Sequence, residues 1–149
     1  HSTTSPGAHT HAEKNCLTCK CISDGQTSYT LYSTGETRPI AHHIDCNSKN
    51  IMYLIQCNHC SKQYIGETKR RLKDRFKEHR RPVYNPSNIS KPTTVSGHFL
   101  TNDHSANDIT LIPLEFIKSN RDSVRKAREA YLIERGKTLE IGMNKKDEM

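Results

Sequence analysis

The sequence predicts an α+β fold in which helices flank a small three-stranded antiparallel sheet, preceded by a cysteine-rich zinc knuckle. Short apolar runs bounded by turn residues predict the strands, and apolar residues at helical spacing predict the helices. Clustered cysteines predict the knuckle. The chain has 149 residues and no tryptophan, which suits one small core. Because it begins with His1 rather than Met, we expect it to be cut from a longer protein.

The first third of the chain is polar and rich in cysteine. Residues 1–14 contain Pro and Gly among polar residues, and this composition predicts a linker or a disordered lead-in. Residues 15–48 form the predicted knuckle and ribbon, in which SYTLY favours a strand and STGE a turn. The candidate ligands for a zinc ion here are Cys16, Cys19, Cys21 and Cys46. His42 or His43 could replace one of them, and the alternative is that some are ordinary buried or free thiols.

Residues 49–149 form the second predicted unit, which contains the sheet. Asn50 to Cys57 is apolar on both faces, which is typical of a central strand covered on both sides. A hairpin connection leads to a second short strand, Lys62 to Gly66. Asp108 to Ile117 is the third predicted strand, and Pro113 places it at an edge or at a bulge.

Two longer helices and one short helix are predicted. In Lys69 to Arg80 the residues at i, i+3, i+4 and i+7 share one face, namely Leu72, Arg75, Phe76 and His79. Arg75 and His79 are therefore held beside a buried stripe, as functional groups or as side chains that snorkel to solvent. A Pro-rich loop at 82–91 leads to a short helix within 93–104 that ends near Asn102. The second long helix is Arg121 to Arg135, followed by a tail at 138–149.

The charge is unevenly distributed. The net charge is +7, and residues 69–81 alone contain eight basic and two acidic side chains. A clustered basic patch is typical of a nucleic-acid binder, although a solvated helix face is the alternative. The candidate phosphate-binding residues are Lys69, Arg70, Arg71, Lys73, Arg80 and Arg81. No apolar run is long enough to predict a membrane span or a signal peptide.

A second candidate zinc site involves the predicted hairpin. Six cysteines could form three disulfides, but short Cys-x-x-Cys spacing among nine histidines favours tetrahedral zinc in a reducing compartment. Cys57 and Cys60 need two further ligands, and His98 and His104 are separated by five residues, the wide end of zinc-ligand spacing. This site would clip the hairpin to the short helix that follows the Pro-rich loop.

An ordered set of motifs resembles the GIY-YIG nuclease family. Ile51-Met52-Tyr53 stands where the first motif stands, with Ile and Met replacing Gly and Ile, and Tyr64-Ile65-Gly66 matches the second motif. Arg75 and His79 match the helix motif, Glu129 the metal-binding glutamate, and Asn144 a downstream asparagine. The runs CNSKNIMYLIQCNHCSKQYIGET, GHF…DH and REAYLI…GMN are similar to the C-terminal endonuclease of Penelope-like retroelements. The resemblance covers about residues 16 to 146.

The resemblance implies roles for these residues. Glu129 would hold a catalytic divalent cation, Mg²⁺ or Mn²⁺, although an ion pair with Arg125 is the alternative. Arg75 would clamp the scissile phosphate. Tyr53 would accept a proton from the attacking water, or His79 could be the base, and Tyr64 and His79 would orient water or phosphate. Asn144 would position a tyrosine or the backbone, or simply cap a loop. His98 could be catalytic rather than a zinc ligand.

The same resemblance implies a metal-dependent DNA endonuclease that nicks DNA to leave a 3′-hydroxyl. That end would prime reverse transcription by a polymerase domain of the same polyprotein, with the element RNA as a further partner, in the nucleus. The alternative is a non-catalytic, zinc-stabilised nucleic-acid-binding module, which would not need Tyr53, Tyr64, Arg75 and Glu129 together. A zinc module for protein interactions would explain the cysteines but not the basic helix.

Overall fold

The computed structural model describes residues 5–11, 16–85, 93–101 and 104–145. Its centre is a three-stranded antiparallel sheet with helices packed around it, as the sequence predicts. The strand order is β6–β5–β7, in which β5 (Ile51–Cys57) lies between β6 (Gln63–Thr68) and β7 (Ile109–Phe116). Six of the seven β5 residues are buried, which confirms the central strand predicted from its two apolar faces.

The register of the sheet places the two motif tyrosines on one face. Tyr53 lies opposite Gly66, and Ile55 lies opposite Tyr64. Because residues that face each other across an antiparallel pair share a side of the sheet, Tyr53 and Tyr64 point the same way. β7 is the other edge strand and has an irregularity where Met52 pairs with Glu115 but Tyr53 pairs with Pro113. Pro113 thus lies on an edge strand beside a bulge, as predicted.

Helix α1 (Leu72–Tyr84) begins three residues after the predicted start at Lys69 and ends four residues after the predicted end at Arg80. It continues through Pro82, where the sequence predicted a loop. Pro82 is buried in line with Leu72, Phe76 and His79, so core packing compensates for the missing backbone donor. Residues 86–91 of the predicted loop lie outside the described residues.

The other two helices lie close to their predicted positions. Helix α2 (Thr94–Phe99) begins after Thr93, whose side chain accepts from the Ser96 N–H in a capping box. Its predicted end at Asn102 lies outside the described residues. Helix α3 (Asp122–Gly136) is followed by its C-cap residue, Lys137, which adopts a left-handed conformation with φ 51°.

The N-terminal segment is more ordered than the sequence predicts. Residues 5–11 fall within the predicted linker, yet β1 (Gly7–Ala8) pairs in parallel with β4 (His43–Ile44). Ala8 is fully buried, and its N–H donates to the Gln26 carbonyl at 2.7 Å. Burial of this small side chain against the ribbon explains the difference, because composition alone does not report a tertiary contact. Residues 1–4 and 12–14 of the predicted linker lie outside the described residues.

The cysteine-rich segment shares one hydrophobic core with the sheet. Its ribbon consists of β2 (Ser28–Leu31) and β3 (Glu36–Pro39), joined by the predicted turn. Leu31 and Ile44 belong to the same buried cluster as Leu54 and Ile65. The Ser33 hydroxyl also donates to the Gly136 carbonyl at the end of α3, at 2.8 Å.

The C-terminal segment packs against β6, although the sequence predicted a tail. The Met143 N–H donates to the Gln63 carbonyl at 2.9 Å, and Met143 is buried. At Gly142 an added Cβ would lie 2.3 Å from the same carbonyl oxygen, so only glycine permits this approach. Among the described residues, no helix has the length and apolarity needed to cross a bilayer.

Candidate active site

Tyr53 is the centre of a polar cluster that also contains Tyr64, Arg75 and His79. It is fully buried in the middle of β5, and its ring lies across Gly66 on the neighbouring strand. An added Cβ at Gly66 would lie 2.5 Å from both the Cζ and the hydroxyl of Tyr53. The glycine of the Tyr64-Ile65-Gly66 motif is therefore required by the tyrosine of the first motif.

Helix α1 brings His79 to this tyrosine. The His79 Nε2 lies 2.9 Å from the Tyr53 hydroxyl, and the His79 Nδ1 lies 3.0 Å from the Thr93 hydroxyl. The Thr93 hydroxyl oxygen accepts from the Ser96 N–H, and its proton is directed to the Ser96 hydroxyl. This pattern assigns Nδ1–H as the donor to Thr93, so Nε2 accepts from Tyr53.

Both members of this pair are neutral. Burial and the nearby Arg75 charge lower the pKa of His79 to about 3. Burial, with Tyr64 adding to the effect, raises the pKa of Tyr53 well above its ordinary value. Neither group is therefore charged near neutral pH.

Tyr64 and Arg75 complete the cluster. The Tyr64 ring centroid lies 6.4 Å from that of Tyr53 and 5.4 Å from that of His79. Arg75 interacts with the Tyr53 hydroxyl, and its guanidinium donates to the Glu78 carboxylate at 2.6 Å. The Arg75 side chain is about a quarter exposed, whereas His79 is 2% exposed. The helix pattern predicted that Arg75 and His79 lie beside the buried stripe, and the structure places them there.

Glu129 lies on α3 and is nearly buried, at 9% exposure. Burial raises its pKa to about 7, with Glu67 adding to the rise while Lys126 and Arg75 oppose it. The alternative ion pair with Arg125 does not form, because Arg125 donates to Glu67 at 2.8 Å and to Asp122. The nearest cationic atom to Glu129 among the described ion pairs is the Lys126 ammonium, at 3.9 Å.

Asn144 bonds to the backbone in the middle of the second motif. Its side-chain oxygen accepts from the Ile65 N–H at 2.8 Å, and its side-chain nitrogen donates to the Ile65 carbonyl at 2.9 Å. Asn144 therefore continues the hydrogen bonding of the sheet beyond β6, at Ile65, which stands between Tyr64 and Gly66 in the chain. Of the two interpretations, backbone positioning fits these contacts, whereas loop capping does not.

One of the two candidate metal clusters has the same four ligands that the sequence predicted. Each residue of the hairpin cluster offers a ligand atom within 4.8 Å of the others, and its members are Cys57, Cys60, His98 and His104. The Cys60 sulfur lies 3.4 Å from the His98 Nε2. A tetrahedral zinc with ordinary bond lengths separates sulfur and nitrogen ligands by about 3.5 Å. The geometry therefore favours zinc ligation over a catalytic role for His98.

The second cluster differs from the predicted ligand set. Its members are His11, Cys16, Cys19 and Cys46, so Cys21 is replaced by a histidine from the predicted linker. Cys21 is buried and interacts with the Tyr84 hydroxyl. His42 packs edge-on against Phe116, and His43 stacks on His9, so neither takes the fourth position. The thiols of Cys19 and Cys21, two residues apart, point in different directions. The thiols of Cys16 and Cys19, three residues apart, lie together in the cluster.

Four of the six predicted phosphate-binding residues line two separate cavities. Lys69 and Arg70 line a cavity of about 270 Å³ together with Arg75 and Lys126. Lys73 and Arg80 line another of about 230 Å³ between α1 and the cysteine-rich segment. Arg71 and Arg81 are exposed on α1. Lys126 also lines the first cavity, and it was not among the candidate site residues predicted from the sequence. Its position three residues before Glu129 places both on one helix face, and this spacing could have identified it.

The comparisons with known proteins give one match. A family model described as the GIY-YIG catalytic domain matches residues 49–145. No curated protein and no solved structure matches the chain. The matched range contains Tyr53, Tyr64, Arg75, His79, Glu129 and Asn144.

Proposed function

Since the chain belongs to the GIY-YIG family, a family of DNA endonucleases that generally depend on a divalent metal ion, we propose that it nicks one DNA strand with Mg²⁺ or Mn²⁺. The observation that carries this proposal is the cluster formed by Tyr53, His79 and Arg75 beside Glu129. A module that only binds nucleic acid has no need for a buried, hydrogen-bonded Tyr–His pair, because such a pair costs desolvation without contacting phosphate.

Glu129 is the residue proposed to hold the divalent cation. A carboxylate with a raised pKa lacks sufficient compensating positive charge, and a hard cation bound by carboxylate oxygen would supply it. The donor therefore fits the metal that the family uses. When bound, the cation would stabilise the negative charge that develops on the phosphoryl and leaving oxygens.

Arg75 is proposed to bind the scissile phosphate. Its planar guanidinium matches phosphate geometry, and Glu78 holds it at the rim of the cluster. Lys69 and Arg70 line the same cavity, so a backbone phosphate there would meet several positive charges. The residues proposed to bind DNA outside the cluster are Lys69, Arg70, Arg71, Lys73, Arg80 and Arg81.

Tyr53 and His79 are proposed to move the proton of the attacking water as one unit. The Tyr53 oxygen would accept that proton while its own proton passes to the His79 Nε2, 2.9 Å away. A free tyrosinate is then never formed, and the positive charge falls on His79, whose pKa burial and the Arg75 charge lower. The route therefore also requires the negative charge of the bound phosphate to stabilise the imidazolium. The route requires Arg75 to leave the Tyr53 oxygen when it binds phosphate. Tyr64 would orient the water, and Asn144 would position β6.

The biological role proposed for the nick is to prime reverse transcription. Hydrolysis that leaves a 3′-hydroxyl would provide a primer for the polymerase of a Penelope-like retroelement, with the element RNA as template, in the nucleus. Support comes from the Cys-x-x-Cys between the two tyrosine motifs, the feature that resembles that branch. Extension of the nicked strand by a polymerase without prior phosphatase treatment would test the 3′-hydroxyl. A nick that is not extended would contradict the priming role.

The decisive experiment compares plasmid nicking by the chain and by Glu129→Gln in Mg²⁺ and in Mn²⁺. We expect the variant to lose nicking while it retains DNA binding and zinc content. Glu134→Gln, at an exposed acid on the same helix, is the matched control and should nick normally. If Glu129→Gln nicks as fast as the unaltered chain, the proposed metal ligand is wrong. If neither nicks while both bind DNA and zinc, the non-catalytic module replaces the proposal.

A further inference from the structure

The cluster formed by His11, Cys16, Cys19 and Cys46 has the geometry of a metal site. The Cys46 sulfur lies 3.8 Å from the Cys16 sulfur and 3.6 Å from the Cys19 sulfur. Thiolates at ordinary zinc–sulfur bond lengths on a tetrahedral ion are about 3.8 Å apart. A disulfide would need about 2.05 Å, and all three cysteines are free.

Two further features support ligation. The Cys19 N–H donates to the Cys16 sulfur at 3.4 Å, and a backbone donor of this kind favours the thiolate form that binds metal. The approach of His11 is set by β1, because the His9 N–H donates to the Ile44 carbonyl at 2.9 Å. Three separate stretches of chain thus converge on one point.

The same segment caps the first turn of α1. The Lys73 N–H donates to the Cys46 carbonyl at 2.7 Å, and the Leu72 N–H donates to the Ser48 carbonyl at 2.9 Å. The residue at the N-cap, Arg71, makes no side-chain capping bond. Carbonyls from the cysteine-rich segment therefore satisfy two N–H groups that a helix cannot satisfy itself.

We propose that His11, Cys16, Cys19 and Cys46 bind a second structural zinc ion, and that this ion anchors the start of α1. Cys46 would be both a ligand, through its sulfur, and a cap for α1, through its carbonyl. Arg75 follows Lys73 by two residues, so the position of the first turn determines where the guanidinium lies. The proposal extends the role of the N-terminal segment beyond the matched family range, which begins at residue 49.

The need for a metal at this point follows from the size of the elements. β1 and β4 have two residues each, and such short strands contribute few hydrogen bonds. A small chain without tryptophan has limited apolar surface to bury. A zinc ion that crosslinks three segments supplies the missing stabilisation.

The test measures zinc per chain for the unaltered protein and three variants. We expect two zinc ions in the unaltered chain, one in His11→Ala, one in Cys60→Ala and two in Cys21→Ala. Cys21→Ala is the matched control because Cys21 is a buried thiol of the same segment that points away from the cluster. One zinc in the unaltered chain, two in His11→Ala, or one in Cys21→Ala would overturn the proposed ligand set.

A conservative variant keeps the test valid if His11→Ala fails to fold. His11→Cys would create a four-thiolate site, so it should retain two metal ions. On Co²⁺ substitution its thiolate-to-cobalt absorption should be stronger than that of the unaltered chain. One metal ion per His11→Cys chain, or an unchanged cobalt spectrum, would contradict ligation by His11. Neither readout depends on nicking, so this proposal and the proposed function can fail separately.

Hydrogen exchange tests the connection to α1. In Cys21→Ala the amides of Leu72 and Lys73 should exchange as in the unaltered chain. In His11→Ala they should exchange about ten-fold faster or more, because the carbonyls that accept from them are no longer held. Equal exchange in both variants would show that the metal does not anchor the helix.

Discussion

Gly66 lacks a side chain because the Tyr53 ring occupies the space where a Cβ would lie. Gly66→Ala places a methyl group 2.5 Å from the Tyr53 hydroxyl. We expect the free energy of unfolding to fall by about 1–3 kcal/mol, since overpacking forces a shift of the ring or strand. Nicking should fall as well, because the Tyr53–His79 hydrogen bond is displaced. Denaturant unfolding and plasmid nicking measure the two effects.

Gly97→Ala is the control for that substitution. Within the described part of the chain, and apart from its two neighbours and the backbone of its own helix, no atom lies within 4 Å of a Cβ added at Gly97 in α2. Alanine in a helix is favoured over glycine by about 0.5–1 kcal/mol, so this variant should be as stable as the unaltered chain or more so. Equal behaviour of the two variants would show that the ring does not constrain Gly66.

Tyr53→Phe removes only the hydroxyl of the buried tyrosine. Loss of the proton route to His79 should lower the nicking rate about 10²–10⁴-fold, the range for general acid–base catalysis, with DNA affinity unchanged. Tyr29→Phe is the matched control, because Tyr29 is also buried and its hydroxyl has no hydrogen-bond partner in the described part of the chain. A normal rate for Tyr53→Phe would remove Tyr53 from the proposed proton route.

Residue types predicted much of the site. Helical spacing places Arg75 and His79 on one face of α1. Tyr53 is identified by its resemblance to the first motif of the GIY-YIG family. Asn144 and His11 are different, since each acts from a segment interpreted as a tail or linker. Their functions depend on which backbone lies next to them, and spacing along the chain does not report that.

At the scale of elements, Glu67 connects strand β6 to helix α3. Its carboxylate accepts from Arg125 at 2.8 Å and from the Lys126 ammonium at 2.8 Å. Burial would raise the pKa of Glu67, but the hydrogen bonds from Lys126 and Arg125 outweigh it, so the pKa lies below its ordinary value of 4.5. A lowered folded-state pKa stabilises the protein above the unfolded value, and the contribution is lost as the pH falls.

Glu67→Gln should therefore change how stability depends on pH. At neutral pH we expect the variant to be less stable by about 1–3 kcal/mol, because two charge-assisted hydrogen bonds are weakened. The difference should shrink as the pH falls from about 4.5 through the lower folded-state pKa, where the carboxylate of the unaltered chain is protonated. Unfolding midpoints from pH 3 to 7 measure this. A difference that stays constant with pH would contradict the connection.

The C-terminal end of helix α1 could not be predicted from the sequence. Its apolar stripe predicted the face and the first three turns, and the proline predicted an end after Arg80. The helix instead continues to Tyr84 because Pro82 is buried in the same stripe. A breaking residue is tolerated when tertiary packing outweighs the lost hydrogen bond.

At the scale of the whole molecule, the net charge of +7 is concentrated near α1. Not all of these charges are available to phosphate, because Arg70 pairs with Glu78 and Arg71 with Asp74, both at 2.9 Å. Lys69 and Arg81 form no ion pair with the described residues. Affinity for DNA should therefore depend more on these two than on Arg71.

The salt dependence of DNA binding tests this difference. A Lys69→Ala, Arg81→Ala double variant should reduce the slope of log affinity against log salt by about 2, roughly 0.9 for each lost phosphate contact. Arg71→Ala should change the slope less, and Lys118→Ala, exposed beyond β7, should leave it unchanged. Equal slopes for all variants would show that the basic segment at residues 69–81 does not contact the DNA backbone.

Periodicity along the chain predicted the strands of the sheet, the order of the helices and the helix face that carries Arg75 and His79, because this information is local. The other residues of the polar cluster were predicted by their resemblance to the GIY-YIG motifs. The folded structure was needed to show that His11 rather than Cys21 completes the second cluster, and that the Asn144 side chain bonds to both backbone groups of Ile65. It also joined the cysteine-rich segment to the sheet in one core. These outcomes depend on contacts between residues far apart in the chain, whose free energy comes from burial and hydrogen bonding after folding.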